Sequence, residues 1–377
     1  MKHKIALSLF IISCLISVNT INVFSLPITP LVDVEFIDHD KNTLSDNNLE
    51  TIEPILSEIF SDRNNAILNL DIEPLKKFYD LNKKQSLWAY ENEIKKIKYL
   101  KGWSEKQGIN FTDIKSRIKI KKIKEKEKGL YGTIAIVSTE YHYKYLNSEE
   151  DNVFKLGTYH YFNIRKKDDG FLITKEWYTD PFADSLELND LKSEEIKNFI
   201  LSKTKPEINL SDKLKKAINY AHIYCGAASD NKNGFKYNSK YTDFNSVGGD
   251  CANFASQILH EGGGFKKNKI WNYSDGDGTK AWVNAQGFKN YMVSSGRASY
   301  IAKGPYHQIY KAAYNMRPGD FVAYEKEGRI THISTVTGLD SKGYPLVTCH
   351  NTDRLLVPYD LGWSNSNITF HLIHVHY

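Results

Sequence analysis

Four stretches between residues 114 and 182 alternate apolar and polar side chains, and this alternation constrains the fold more than any other feature of the chain. They read IKSRIKIKKIK, GTIAIVSTEYHYKYL, FKLGTYHYFNIRKK and GFLITKEWYTDPF. A period of two with β-branched and aromatic residues indicates strands that bury one face. The polar segments NSEED and KKDDG between them are short enough for hairpins. We therefore predict a largely antiparallel sheet.

Helices are predicted before this sheet. Helical periodicity covers residues 48–101, and the segments LETIEPILSEIF and ENEIKKIKYLKGW space their apolar residues three and four apart. Two or three helices followed by a curved sheet of long aromatic strands resemble the NTF2-like cone fold. The resemblance implies an NTF2-like α+β domain over residues 26–205. The boundary is expected near Pro206, within a charged segment rich in helix-capping serines.

The N-terminus has the pattern of a secretory signal peptide. Lys2, His3 and Lys4 precede the apolar run IALSLFIISCLISV. We predict a signal peptide over residues 1–25 and a secreted or cell-surface protein. The run is shorter than the roughly 18 residues that a spanning helix needs, so no integral membrane span is expected after cleavage.

Composition narrows the class of protein. A chain of 377 residues with 41% hydrophobic and 25% charged residues should fold into about two domains. A net charge of +5, with lysines interleaved among acids, does not call for nucleic acid. Beyond the predicted signal peptide, Cys225, Cys251 and Cys349 are an odd number, which argues against a disulfide framework. One pair is still able to bridge.

The stretch GGDCANFASQ, residues 248–257, is the first candidate for chemistry. Gly248 and Gly249 predict a tight entry, Asp250 an N-cap, and Cys251 the first turn of a helix. The helix end favours the thiolate, which is the reactive form of cysteine. The alternative is a small apolar residue that packs the helix against the sheet.

A nucleophile of this kind needs a base, and RITHISTVTG supplies His332 on a predicted strand. NMRPGDFVAYEKEGR before it predicts a hairpin. GYPLVTCHNTDR after it predicts a third strand beside His332. One residue of register at the intervening turn decides whether His350 or Asn351 shares the face of His332.

Several ordered blocks resemble one family. GGDCANFASQILHEGG, RPGDFVAY, THISTVTG and CHNTDR are similar to the "putative amidase domain" of secreted Gram-positive bacterial proteins. That family is related to the NlpC/P60 and CHAP groups of the papain-like superfamily. The resemblance implies a papain-like α+β cysteine hydrolase domain over residues 206–377. Ala252 departs from the family, which commonly has a small hydroxyl residue there.

The resemblance also implies roles for individual residues. Cys251 would attack a carbonyl carbon, and His332 would be its imidazolium partner. His350, Asn351 and Asp353 are candidates for the third catalytic residue, and NlpC/P60 relatives favour His350. The backbone N–H of Cys251 and the side chain of Asn245 are candidate oxyanion donors.

The resemblance and the predicted secretion imply amide-bond cleavage in a peptide or peptidoglycan-type substrate, without cofactor or metal. Acyl transfer to an amine by the same thioester chemistry is an alternative. A non-catalytic wall-binding or interaction module with an inert thiol is another.

Overall fold

A computed structural model of the chain describes residues 34–36, 46–183, 194–229, 234–363 and 367–377. The predicted signal peptide, residues 1–25, lies outside these residues. Within them, no helix combines the length and apolarity that a membrane crossing requires.

The N-terminal half contains two long helices and a sheet of long strands. The helices are α1 (Asp46–Asn69) and α2 (Lys84–Gln107), separated by a 3₁₀ turn, Glu73–Phe78. The chain leaves α2 at Gly108, whose positive φ of 71° lets it turn directly into the sheet. The strands are β1 (Val34–Phe36), β2 (Ile109–Glu127), β3 (Leu130–Tyr145), β4 (Asn152–Lys167) and β5 (Gly170–Tyr178).

The alternation in sequence corresponds to alternating burial in these strands. Along β3 and β4, fully buried residues largely alternate with partly exposed ones. Consecutive strands from β2 to β5 pair antiparallel, as the short polar connections predict. Strand β2 begins five residues before the alternating stretch that indicated it.

The C-terminal half consists of short helices around a second group of strands. A short helix α3 (Glu194–Leu201) precedes it. Its helices are α4 (Asp212–Tyr224), α5 (Cys251–Gln257), α6 (Lys280–Val283), α7 (Ala285–Ser294) and α8 (Tyr306–Ile309). Its strands are β6 (Tyr273–Ser274), β7 (Asp277–Gly278), β8 (Ala298–Gly304), β9 (Phe321–Lys326), β10 (Arg329–Leu339), β11 (Pro345–Cys349), β12 (Arg354–Pro358) and β13 (Ile368–Val375).

One sheet runs through both halves of the described chain. Its order is β1-β2-β3-β4-β12-β11-β10-β9-β13-β8, with β5 also on β4. The halves meet where Arg354 and Leu355 of β12 pair antiparallel with Leu156 and Lys155 of β4. The mixed α+β class and the large antiparallel sheet are thus confirmed. The division at residues 205 and 206, the NTF2-like fold and the papain-like fold remain predictions.

Buried polar contacts reinforce the junction of the two halves. Lys106 and Trp103 of α2 both donate to the Asp360 carboxylate, which follows β12. Tyr143 and Tyr145 of β3 donate to Asp340 at the end of β10. All six side chains are almost entirely buried. These contacts join residues about 200 or more positions apart in sequence.

Candidate functional site

Helix α5 lies at the centre of the C-terminal half, and every one of its residues is buried. Cys251, Ala252 and Ala255 pack among Trp271, Trp282 and strands β9 and β10. On its other side, Phe254 packs against α4 and β12. A π-helical turn, Ile258–Gly262, continues the helix to the glycines that the sequence indicated as its end.

Polar side chains of α5 are fixed by hydrogen bonds to buried partners. Asn253 Oδ1 accepts from Trp282 Nε1 at 2.8 Å. Ser256 Oγ accepts from Trp271 Nε1 at 3.0 Å and donates to the Trp282 carbonyl at 2.9 Å. Gln257 Oε1 accepts from the Tyr220 hydroxyl at 2.9 Å. The polar residues of the DCANFASQ segment therefore anchor the helix that carries Cys251.

Cys251 is the first residue of α5 and is only 5% exposed. Burial raises the pKa of its thiol to about 12, although the backbone N–H groups of Ile333 and Ala252 lie against the sulfur and act in the opposite direction. The thiol is therefore protonated at neutral pH in this arrangement. Its sulfur touches the backbone of β10 one residue beyond His332.

His332 makes its hydrogen bond with another cysteine. Its Nε2 atom lies 3.2 Å from Cys349 Sγ, and no hydrogen bond joins it to Cys251 in the described part of the chain. The ring stacks on Trp363, with 5.0 Å between centroids, and packs against Tyr324. Burial, with the Arg354 guanidinium, lowers the pKa of His332 to about 3. The imidazole is therefore neutral.

His350 contacts the start of α5 instead of His332. Its Nδ1 lies 2.5 Å from Asp250 Oδ2 and its Nε2 lies 2.8 Å from the Tyr224 carbonyl. Its ring stacks on Phe254 with 3.7 Å between centroids. Burial opposes the charge, but the hydrogen bond and the charge of Asp250 prevail, and the pKa of His350 is raised.

The register of β10 and β11 explains this separation. Thr335 pairs with Thr348 and Val336 with Val347, and β11 ends at Cys349. Continued by counting, that pairing places His350 level with Ile333. Successive side chains of a strand alternate between faces, so Cys349 rather than His350 shares the face of His332.

Asp250 precedes α5 but does not cap it with its side chain, contrary to the sequence-based expectation. Its Oδ1 accepts from the Phe244 N–H at 3.1 Å and from Asn253 Nδ2 at 2.8 Å. Its Oδ2 is held by His350. The Asp250 carboxylate therefore faces the preceding loop and His350, which follows β11. A histidine that bears a charge is a stronger hydrogen-bond partner for it than the backbone N–H groups of a helix end.

The remaining candidates lie at three different places. Asn351 Oδ1 accepts from the Asp250 N–H at 2.6 Å. Asp353 accepts from the Ala227 N–H at 2.8 Å and from the Tyr237 hydroxyl. Asn245 is exposed in a 3₁₀ turn, where its own N–H donates to Asp243. None of the three is shown in contact with Cys251 or His332.

Sequence reasoning missed Cys349 as the neighbour of His332 and Asp250 as the partner of His350. Cys349 directly precedes the candidate His350, and Asp250 directly precedes the candidate Cys251, so both stood inside motifs that the sequence had indicated. Only the strand register distinguishes their faces, and it is not visible before the turn geometry is known. Within the described residues, Cys225, Cys251 and Cys349 form no disulfide.

Comparisons with known proteins point to one family for this half of the chain. Residues 211–373 match the family model described as "Putative amidase domain". This region is therefore similar to an amidase-like family.

Two further similarities are narrower. "Uncharacterized protein YhbB" of Bacillus subtilis (strain 168) is 29% identical over 132 residues, which is 31% of this chain and 37% of that protein. The chain thus spans little more than a third of the length of this relative. A crystal structure of the intermembrane space region of the chloroplast protein ARC6 matches 34% of this chain and 94% of its own, with 14% identity and a TM-score of 0.26.

Proposed function

We propose that the C-terminal half is a cysteine-type amidase that hydrolyses amide bonds, with Cys251 as nucleophile and His332 as its proton acceptor. The observation that carries this proposal is the position of Cys251. It opens a helix anchored by four buried hydrogen bonds, and its sulfur lies against the backbone of the residue after His332. The family match over residues 211–373 supports amide hydrolysis as the reaction class.

The reaction would run through a thioester. The Cys251 sulfur attacks the carbonyl carbon of the amide while its proton passes to the His332 imidazole. The amine then leaves with that proton as the carbon–nitrogen bond breaks. A water molecule attacks the thioester, His332 accepts its proton, and the carboxylic acid departs as the thiol re-forms.

In this arrangement Cys251 and His332 are not an activated pair. With the pKa of the thiol raised and that of the imidazole lowered, both groups are neutral. Catalysis requires the His332 ring to leave Cys349, Tyr324 and Trp363 and to reach Cys251, which packs with the next residue of β10, Ile333, on the other face of the strand. Catalytic hydrogen bonds are often long in the absence of substrate and tighten when it binds.

The substrate test is product analysis by mass spectrometry. Purified protein is incubated with peptidoglycan fragments. The summed mass of the products should exceed the mass of the starting amide by one water molecule. Cys251→Ala should lower the rate about 10⁴-fold or more, as loss of a nucleophile does. Cys225→Ala, at a buried thiol on the end of α4, is the matched control and should retain activity.

Unchanged turnover in Cys251→Ala would exclude this nucleophile. Products in which an added amine replaces water would identify the protein as an acyltransferase instead.

A non-catalytic binding module is the second candidate, and the burial of Cys251 favours it. Iodoacetamide labelling, read at each cysteine peptide, separates the two proposals. An activated thiol would react well below the free-thiol pKa of about 8.5. An inert one would react only in strongly alkaline solution.

We further propose that the protein is exported and acts on cell-wall peptides. The basic and apolar N-terminal pattern supports export, and the resemblance to secreted Gram-positive proteins supports the substrate class. Expression of the full chain in a Gram-positive host, followed by N-terminal sequencing of the extracellular or wall-associated form, tests export. A product that begins at Met1 and stays in the cytoplasm would contradict it.

A further inference from the structure

His350 and Asn351 join the end of β11 to the loop that leads into α5. We propose that Asp250, His350 and Asn351 form a latch that fixes the first turn of α5, and that His350 is a positioning residue acting through Asp250. This role deepens the proposed function of Cys251, on which it rests. The latch itself can be measured without any substrate.

The ring of His350 is held on both edges by acceptors. Asp250 Oδ2 lies 2.5 Å from Nδ1, and the Tyr224 carbonyl lies 2.8 Å from Nε2. Both nitrogens can donate only when the ring is an imidazolium, since neutral imidazole has a single N–H. Asp250 and His350 are each 2% exposed, so the pair is a buried ion pair.

Stacking fixes the orientation of this ring. Phe254 lies parallel to it, with 6° between planes and 3.7 Å between centroids, and Tyr237 meets it edge-on at 5.0 Å. Phe254 is itself in the first turn of α5. The imidazolium therefore contacts α5 both through the residue before Cys251 and through the residue three positions after it.

Asn351 holds the backbone of the same loop. Its Oδ1 accepts from the Asp250 N–H at 2.6 Å. Gly249 adopts a φ of 114°, and a Cβ on it would lie 2.2 Å from Asn351 Nδ2. Glycine is favoured here by this positive φ, and the loop also passes directly against the Asn351 amide.

Besides Asp250, a further ionisable group, Asp353, lies close to the His350 ring. Asp353 is a second buried carboxyl near the ring, and burial raises its pKa to about 6. Asp353 is bonded to Ala227 and Tyr237 and not to the loop before Cys251. Asp250 is thus the carboxylate through which His350 acts on α5.

The test is hydrogen exchange of residues 248–253 in the intact chain, together with the alkylation rate of Cys251. Asp250→Asn, His350→Gln and Asn351→Gly each remove one contact of the latch. We expect exchange in this segment to accelerate about tenfold or more. Exchange in β9 should stay unchanged, and Cys251 should become more accessible to iodoacetamide.

Asn351→Gly guards against loss of folding. It removes a side chain at a positive φ of 67°, where glycine is at ease, and it leaves no buried charge unpaired. Glu325→Gln is the control, because Glu325 Oε2 also pairs with a histidine, His371 Nε2, at 2.8 Å, and this pair joins β9 to β13 without a contact to the latch. It should leave exchange at residues 248–253 unaltered.

A local effect on α5 supports the latch. Equal acceleration in β9 and at residues 248–253 would show general destabilisation, and unaltered exchange in Asn351→Gly would show that the loop does not need this contact. Either result overturns the proposal. If the latch is confirmed while Cys251→Ala retains full activity, the amidase proposal fails and the latch does not.

Discussion

At the scale of single residues, the site contains two buried histidines whose pKa values shift in opposite directions, His332 downward and His350 upward. His332 has a thiol and aromatic rings as neighbours, and burial lowers its pKa to about 3. His350 is equally buried, yet a carboxylate and a carbonyl raise its pKa. The partner rather than the depth of burial decides the charge.

The charge of His350 predicts how stability depends on pH. A histidine with a raised pKa in the folded state contributes stability that is complete below its unfolded pKa of about 6.5. That contribution is lost as pH rises through the folded pKa. His350→Gln should cost about 3 kcal/mol near pH 6, because it leaves Asp250 buried without its cation, and less at alkaline pH.

Urea unfolding of the wild type and His350→Gln at a series of pH values measures this difference. Asp353 also faces the ring, but its pKa of about 6 confines its own titration to the acid side. The alkaline limb therefore reports His350. A difference in unfolding free energy that is constant from pH 6 to 9 would mean that His350 is neutral in the folded protein.

At the scale of the element, side-chain hydrogen bonds to the rest of the fold stabilise α5, which is too short to be stable by itself. It has only seven residues, and isolated helices that short are unstable. Two indole N–H groups, from Trp271 and Trp282, donate into it. The tertiary contacts therefore stabilise the helix that presents Cys251.

Ser256→Ala tests this dependence. It leaves the Trp271 Nε1–H buried without an acceptor, which should lower the free energy of unfolding by about 1–3 kcal/mol. Ser294→Ala on α7 removes only a long 3.5 Å contact to a carbonyl and should change stability by less than about 0.5 kcal/mol. Equal effects of the two substitutions, measured by urea unfolding, would argue against the anchoring.

At the scale of the whole molecule, the two halves share a sheet and a set of buried polar contacts. The β4–β12 pairing and the Lys106–Asp360 ion pair cross between them. Burial lowers the pKa of Lys106, and the Asp360 carboxylate opposes that shift. We expect the described chain to unfold in one cooperative transition.

Asp360→Asn should lower the free energy of unfolding in that single transition by about 3–5 kcal/mol, because it leaves the Lys106 ammonium buried without a counter-ion. Urea unfolding followed by both tryptophan fluorescence and far-UV circular dichroism measures it. Glu58→Gln, in the exposed pair with Lys77, is the control and should have little effect. Two separate transitions, of which the substitution moves only one, would show that the halves are independent domains.

The sequence by itself determined the periodic elements of this protein. Alternation indicated the hairpin strands from β2 to β5 because burial of one face of a sheet is a local pattern with a period of two. The composition of GGDCANFASQ indicated a helix that begins at Cys251, because the backbone preferences of glycines and of helix-favouring residues are local and do not depend on distant contacts.

Only the tertiary structure decided which side chains meet. Pairing of Thr335 with Thr348 gave His332 to Cys349 and left His350 to Asp250. Pairing of Leu355 with Lys155 joined two halves that the sequence suggested as separate domains. Strand register and sheet order depend on contacts between residues far apart in the chain, and no local pattern encodes them.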